Sequence, residues 1–139
     1  MSYIDRTDIS KVIGEPQLQQ LEKYVPTLIG DIAPLGESYI TNHVSDLYDL
    51  SIEFAKVGDA REPQVKMIAV AVVAYYAFQQ VASDQIPDIR VKAYDDAVMM
   101  LEKAAKGKIY FKNLTRTTPD EGRSIRFGGE TNPTFKTDY

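Results

Sequence analysis

The sequence predicts an all-α fold: a small bundle of about five helices, one of them central and buried, followed by a short C-terminal β-strand and an extended C-terminal arm. Three observations carry that expectation. Ile40, Val44, Leu47, Ser51 and Phe54 step by four, three, four and three, which places them on one face of a helix. Met67 to Phe78 is apolar for twelve consecutive residues when tyrosine is counted, so a helix there must be surrounded rather than laid on a surface. Beyond residue 114 large apolar groups become sparse and glycine and proline frequent, a composition that cannot build a core of its own.

The elements follow in order. A helix is expected from about residue 7 to 13, where Ile9, Val12 and Ile13 recur on one side and Gly14 can terminate the turn. Pro16 suits the first turn of a second helix running to about Tyr24, with Leu18, Leu21 and Val25 at helical spacing. Residues 26–36 mix Pro26, Gly30, Pro34 and Gly36 with Leu28, Ile29, Ile32 and Leu35, and read as a packed loop. A long amphipathic helix is expected from Glu37 to about Gly58, then the central helix from Pro63, whose alanines permit close approach of its neighbours. Pro87-Asp88 opens a further helix with Ile89, Ala93, Ala97, Leu101 and Ala104 on one face and Gly107 as its stop. Lys108 to Lys112 alternates with period two, which predicts a short strand. A lone strand must pair with something, and a neighbouring chain is the expected partner.

Two regions are therefore expected: a helical domain over 1–114 and an arm over 115–139 that orders only on assembly. In the arm, Arg116, Arg123, Arg126 and Lys136 balance Asp120, Glu121, Glu130 and Asp138, so the net charge of −4 resides in the helical domain. The candidate interface residues are Lys108, Ile109, Tyr110, Phe111 and Lys112 as an added strand. Ile125, Arg126, Phe127, Phe135 and Tyr139 are the candidate pegs of the arm.

Composition narrows the chemistry. The 139 residues hold no cysteine and one histidine, which excludes thiolate nucleophiles, disulfides, cysteine-ligated metals and any site needing two imidazoles of one chain. No catalytic, metal or cofactor residues are expected, and the protein is not expected to be an enzyme. His43 with Asp46, Asp49 and Glu53 reads as a solvated helix face. Asp95 and Asp96 point about 100° apart on a helix and cannot share a proton. Lys106-Gly107-Lys108 follows a helix, whereas a phosphate-binding glycine loop precedes one. Tyr75, Tyr76 and Phe78 read as packing. The start of the chain meets Asp5 and Arg6 without an apolar run, so neither a secretory signal nor a membrane partner is expected.

The succession of a Thr7-Asp8-Ile9…Ile13-Gly14 helix, an amphipathic helix and a buried helix leads into Tyr94-Asp95-Asp96-Ala97, Leu101 and Ala104-Ala105-Lys106-Gly107-Lys108-Ile109. This order resembles the Mu-like prophage and tailed-phage family of small head-to-tail connector, or adaptor, proteins. The resemblance covers roughly residues 7–112, is strongest over Arg90 to Ile109, and extends to Arg126-Phe127, which is similar to that family's C-terminal arm. It implies a structural virion protein at the head–tail junction, present in the host cytoplasm before assembly. Identical subunits would form a ring that joins the portal to an adjacent neck or tail protein, and DNA would pass through the channel without sequence-specific binding. The alternative is a small helical DNA-binding regulator using Thr7 to Tyr24, where Lys11 and Lys23 stand against Asp8, Glu15 and Glu22.

Overall fold

The structure is a computed structural model that describes residues 3–117. Its helices are α1 (Arg6–Ile13), α2 (Glu15–Tyr24), α3 (Leu28–Val44), α4 (Leu50–Phe54), α5 (Pro63–Val81) and α6 (Asp88–Ala105), with a single 3-10 turn at Gly58–Ala60. The all-α expectation holds for these residues. α1 starts on a reciprocal cap, in which Asp5 accepts from the Asp8 amide and Asp8 accepts from the Asp5 amide, each at 3.0 Å. Gly14, at φ 90°, both ends α1 and opens α2, so one residue makes the joint.

Residues 28–36 are helix, not loop, and α3 runs through both Pro34 and Gly36. A proline inside a helix costs about 3 kcal/mol or more. Burying Leu28, Ile32, Ile40 and Val44 on one stripe stabilises the helix by roughly 1.5–3 kcal/mol each, which outweighs that cost. Pro34 and Gly30, whose carbonyl loses its helical partner, are both exposed, so water can satisfy the freed group. Gly36 is the close-approach residue: a Cβ there would lie 3.0 Å from the Ala69 Cβ and 3.1 Å from the Ala69 carbonyl oxygen. Glycine on α3 and alanine on α5 thus bring two backbones together.

The expected long helix to Gly58 is broken. α3 stops at Val44, and Asp49 caps the separate α4 by accepting from the Ser51 amide at 3.1 Å. The turn between them buries Tyr48 against Phe111, their ring centres 5.7 Å apart. α5 is the central helix: nine of its nineteen residues are buried, from Val65 to Phe78. It is not covered on every side, because Met67 remains 55% exposed. α6 buries Ala97, Leu101 and Ala104, but Ile89 lies outside the core. Gly107, at φ 76°, ends that helix.

Lys108 to Lys112 is not a strand. Its backbone turns back on the helices because Phe111 and Leu114 are buried, and the Phe111 amide donates to the Tyr48 hydroxyl at 3.1 Å. The only strand-like pairing among the described residues comes later and lies within the chain. Tyr48 opposes Arg116, with the Asp49 amide donating to the Thr115 carbonyl at 2.7 Å and the Thr117 amide to the Leu47 carbonyl at 3.1 Å. The anticipated unsatisfied edge at 108–112 is therefore absent, and residues 115–117 belong with the helical domain. The arm from residue 118 lies outside the described residues.

Two glycines of α3 make opposite predictions. Gly36→Leu forces a side chain into the Ala69 backbone and should lower the unfolding free energy by about 1–3 kcal/mol. Gly30→Ala meets open space and should raise it by about 0.5–1 kcal/mol, both measured by chemical denaturation.

Candidate assembly interface

The five candidate interface residues of the 108–112 segment divide by burial. Lys108, Tyr110 and Lys112 are exposed, Ile109 is half-buried, and Phe111 is a core residue. Tyr110 is 62% exposed and lies under the Arg116 guanidinium, 5.3 Å from its ring centre; the same guanidinium sits 5.5 Å from the Tyr48 ring. Cation–π attraction to both rings holds the Arg116 guanidinium between them, in the shallow pocket it lines with Ile109. Ile125, Arg126, Phe127, Phe135 and Tyr139 lie outside the described residues.

A second surface was not anticipated from sequence. Val12 on α1 and Met67 on α5 are 40% and 55% exposed and flank a groove of about 470 Å³. Its floor is apolar, formed by Val70 and Ala71 of α5 and Ala93 of α6. Its charged lining is Lys11, Lys66, Arg90 and Asp8. Burial lowers the Arg90 pKa, and Arg90 makes no ion pair among the described residues. Ile89, at the start of the otherwise buried face of α6, is 66% exposed.

Beneath one end of the groove lies a buried polar network. Arg61 donates to both carboxylate oxygens of Asp8, at 2.6 and 2.9 Å, to the Tyr3 carbonyl at 2.7 Å and to the Gly58 carbonyl at 2.8 Å. Burial pushes the Asp8 carboxyl up, but hydrogen bonds and charge from Arg61, with the Asp5 amide, hold it at about 2. Lys66 stands 3.8 Å from the same carboxylate. Glu62 accepts from the Gln64 and Val65 amides at 2.7 and 3.0 Å, capping α5, and from the Asn113 side chain at 3.2 Å. Glu53 is buried, contrary to its expected place on a solvated face. Its Oε2 accepts from the Tyr3 hydroxyl and from the Glu62 amide, the latter at 2.6 Å, while the Lys56 ammonium lies 3.0 Å from Oε1. Burial first, then Glu53, raises the Tyr3 phenol above its ordinary range.

The remaining polar candidates also serve architecture. His43 is half-buried, and its Nδ1 donates to the Tyr39 carbonyl at 2.7 Å, one turn back. The Tyr39 hydroxyl meets those of Tyr76 and Tyr94, the latter at 2.9 Å, tying α3, α5 and α6 together. Tyr75 stacks on Tyr94 with centroids 4.2 Å apart. Asp95 and Asp96 are exposed. Among the described residues no three of His, Asp and Glu gather as a metal site, and no helix is long and apolar enough to cross a membrane.

The comparison with known families turns on the same stretch of chain. The model of a family described as bacteriophage Mu, Gp36 matches residues 3–127, which takes in every described helix. The chain belongs to the bacteriophage Mu Gp36 family. No curated protein and no solved structure matches it. The Gp36 match includes Ile125, Arg126 and Phe127 but stops short of Phe135 and Tyr139. It also includes both the groove and the Arg61 network, so the part of this phage protein that matches the family model is the helical body and about the first half of the arm.

Arg61→Met leaves the buried Asp8 carboxylate without its partner and should lower stability by about 3–5 kcal/mol at neutral pH, read from urea unfolding. The pH dependence has a definite sign. The folded Asp8 value lies below the unfolded one, so the pair's contribution, roughly 2 kcal/mol, is complete above about pH 4 and is lost as pH falls toward 2. In Asp8→Asn that portion of the acid sensitivity should disappear.

Proposed function

We propose that this Gp36-family chain is a head-to-tail connector of a tailed phage, an adaptor whose identical copies form a ring joining the portal to the next neck or tail component. The observation that carries the reading is the family match over residues 3–127, which identifies a phage protein by its helical body. The sequence pattern over Arg90 to Ile109, which resembles the small connector proteins, supports the particular role. The body supports it with exposed apolar groups, Val12, Met67, Ile89 and Tyr110, on separate elements of a domain whose core is otherwise filled. Separate patches that meet different patches on the next copy generate a ring when the rotation closes.

In this reading the protein acts by placement and not by turnover. DNA would cross the ring during packaging and ejection, and a chain of net charge −4 does not hold phosphate back. The arm binds a neighbour at high effective concentration once the ring has begun to form, so contacts that are weak singly become firm together. Reading DNA through α1 and α2 is less favoured, because Arg6, the cation beside that pair, already binds Glu15 and Glu22 at 2.6 and 2.8 Å.

Full-length protein mixed with its portal should give portal-capped rings in negative-stain micrographs. A chain ended after Thr117 keeps the pairing of Thr115 and Thr117 with the body, so its circular dichroism should match that of the full chain while portal-attached rings are lost. Equal ring formation by the shortened chain would remove the arm from the mechanism, and absence of rings with the full chain would overturn the connector role.

A further inference from the structure

From the groove between α1, α5 and α6, we infer that it is the receptor for the distal arm, Glu130 to Tyr139, of a neighbouring copy. This rests on the ring reading above and gives the arm a destination. The groove combines an apolar floor, Val70, Ala71 and Ala93, with three cationic side chains, Lys11, Lys66 and Arg90. Its one lining carboxylate, Asp8, is already held by Arg61 on both oxygens, so the charge left to a ligand is positive. An occupant must bring large apolar groups flanked by carboxylates.

The chain beyond Thr117 offers two pairs of pegs, and their charges separate them. Ile125 and Phe127 have Arg126 between them and Arg123 two residues before, which the cations of the groove repel. Asp120 and Glu121 only cancel that charge, so residues 120–127 are neutral whereas 130–139 carry −1. Phe135 and Tyr139 are accompanied by Glu130 and Asp138 against the single Lys136. The distal pair matches the groove in both apolarity and charge. Reach is sufficient: the eighteen residues from Thr118 to Phe135 span up to roughly 60 Å when extended. That is about twice the width of a domain of this size, so the segment can cross to an adjoining subunit.

The absence of cysteine makes the test clean. Full-length Met67→Cys and full-length Phe135→Cys are mixed, assembled on the portal and oxidised, and disulfide-linked pairs are counted on non-reducing gels. Met67 is largely solvent-facing, so its replacement leaves the core intact. Linkage between copies should exceed by at least tenfold that of Tyr24→Cys, an exposed α2 position outside the groove, with the same partner. Arg90→Glu in the groove chain should reduce the Met67 linkage at least fivefold. If a Met67→Cys/Phe135→Cys double variant links only within its own chain and the mixed single variants do not link, the neighbour assignment is overturned. Equal linkage of Met67→Cys to Phe127→Cys would overturn the choice of segment, and rings without groove linkage would overturn the receptor while leaving the connector reading standing. Failure to assemble any ring would instead remove the reading on which this inference rests.

Discussion

The fold depends on two adjacent charged residues at the entrance to α5. Arg61 takes up the carboxylate of Asp8 and the carbonyl of Tyr3, which fixes the start of the chain and α1 against the central helix. Glu62 caps α5 and receives Asn113, which fixes the segment after α6 to the same point. Segments far apart in sequence are thus fastened within two residues. Such buried charge adds little net stability compared with an apolar core, yet breaking one partner is expensive, because the other remains buried and unsatisfied. Its consequence here is positional: the helix that every other layer leans on has its N-terminal end pinned in one register.

Much of the architecture was legible because it obeys local rules. Gly14 and Gly107 terminate helices where a positive φ is required, and α1, α2, α5 and α6 fall where periodicity puts them. The misread part is residues 26–58, where local rules and packing disagree. Gly30, Pro34 and Gly36 signal a break, but a stripe at every fourth residue from Leu28 to Val44 faces α5 and outweighs it. The break comes instead at residues 45–49, where nothing in the apolar spacing announces it, because Tyr48 turns inward to meet Phe111. Helical phase is lost across that turn, which is why Glu53, counted onto the wet face, ends in the interior.

The candidate interface surfaces are less legible in the sequence than the core. Alternation at 108–112 suggested a strand, but alternation is also what a turning segment shows when Phe111 and Leu114 are its only deep anchors. The groove escaped notice because its lining comes from three helices, and no sequence window holds Val12, Met67 and Arg90 together. Exposure of an apolar residue at helical spacing depends on which neighbours the fold supplies. Ile89 and Ala97 share a face in projection, yet only Ala97 has a helix lying over it. Membership of the Gp36 family identifies the protein that bears these surfaces as a phage protein.

The pairing of Thr115 and Thr117 with the turn after α3 also fixes a point of departure. The last described residue, Thr117, is moored to the Leu47 and Asp46 carbonyls, so the described body ends at a fixed spot beside the turn after α3. In the ring proposed above, that mooring would repeat with the symmetry of the circle, so every arm would begin at an equivalent place on its own body.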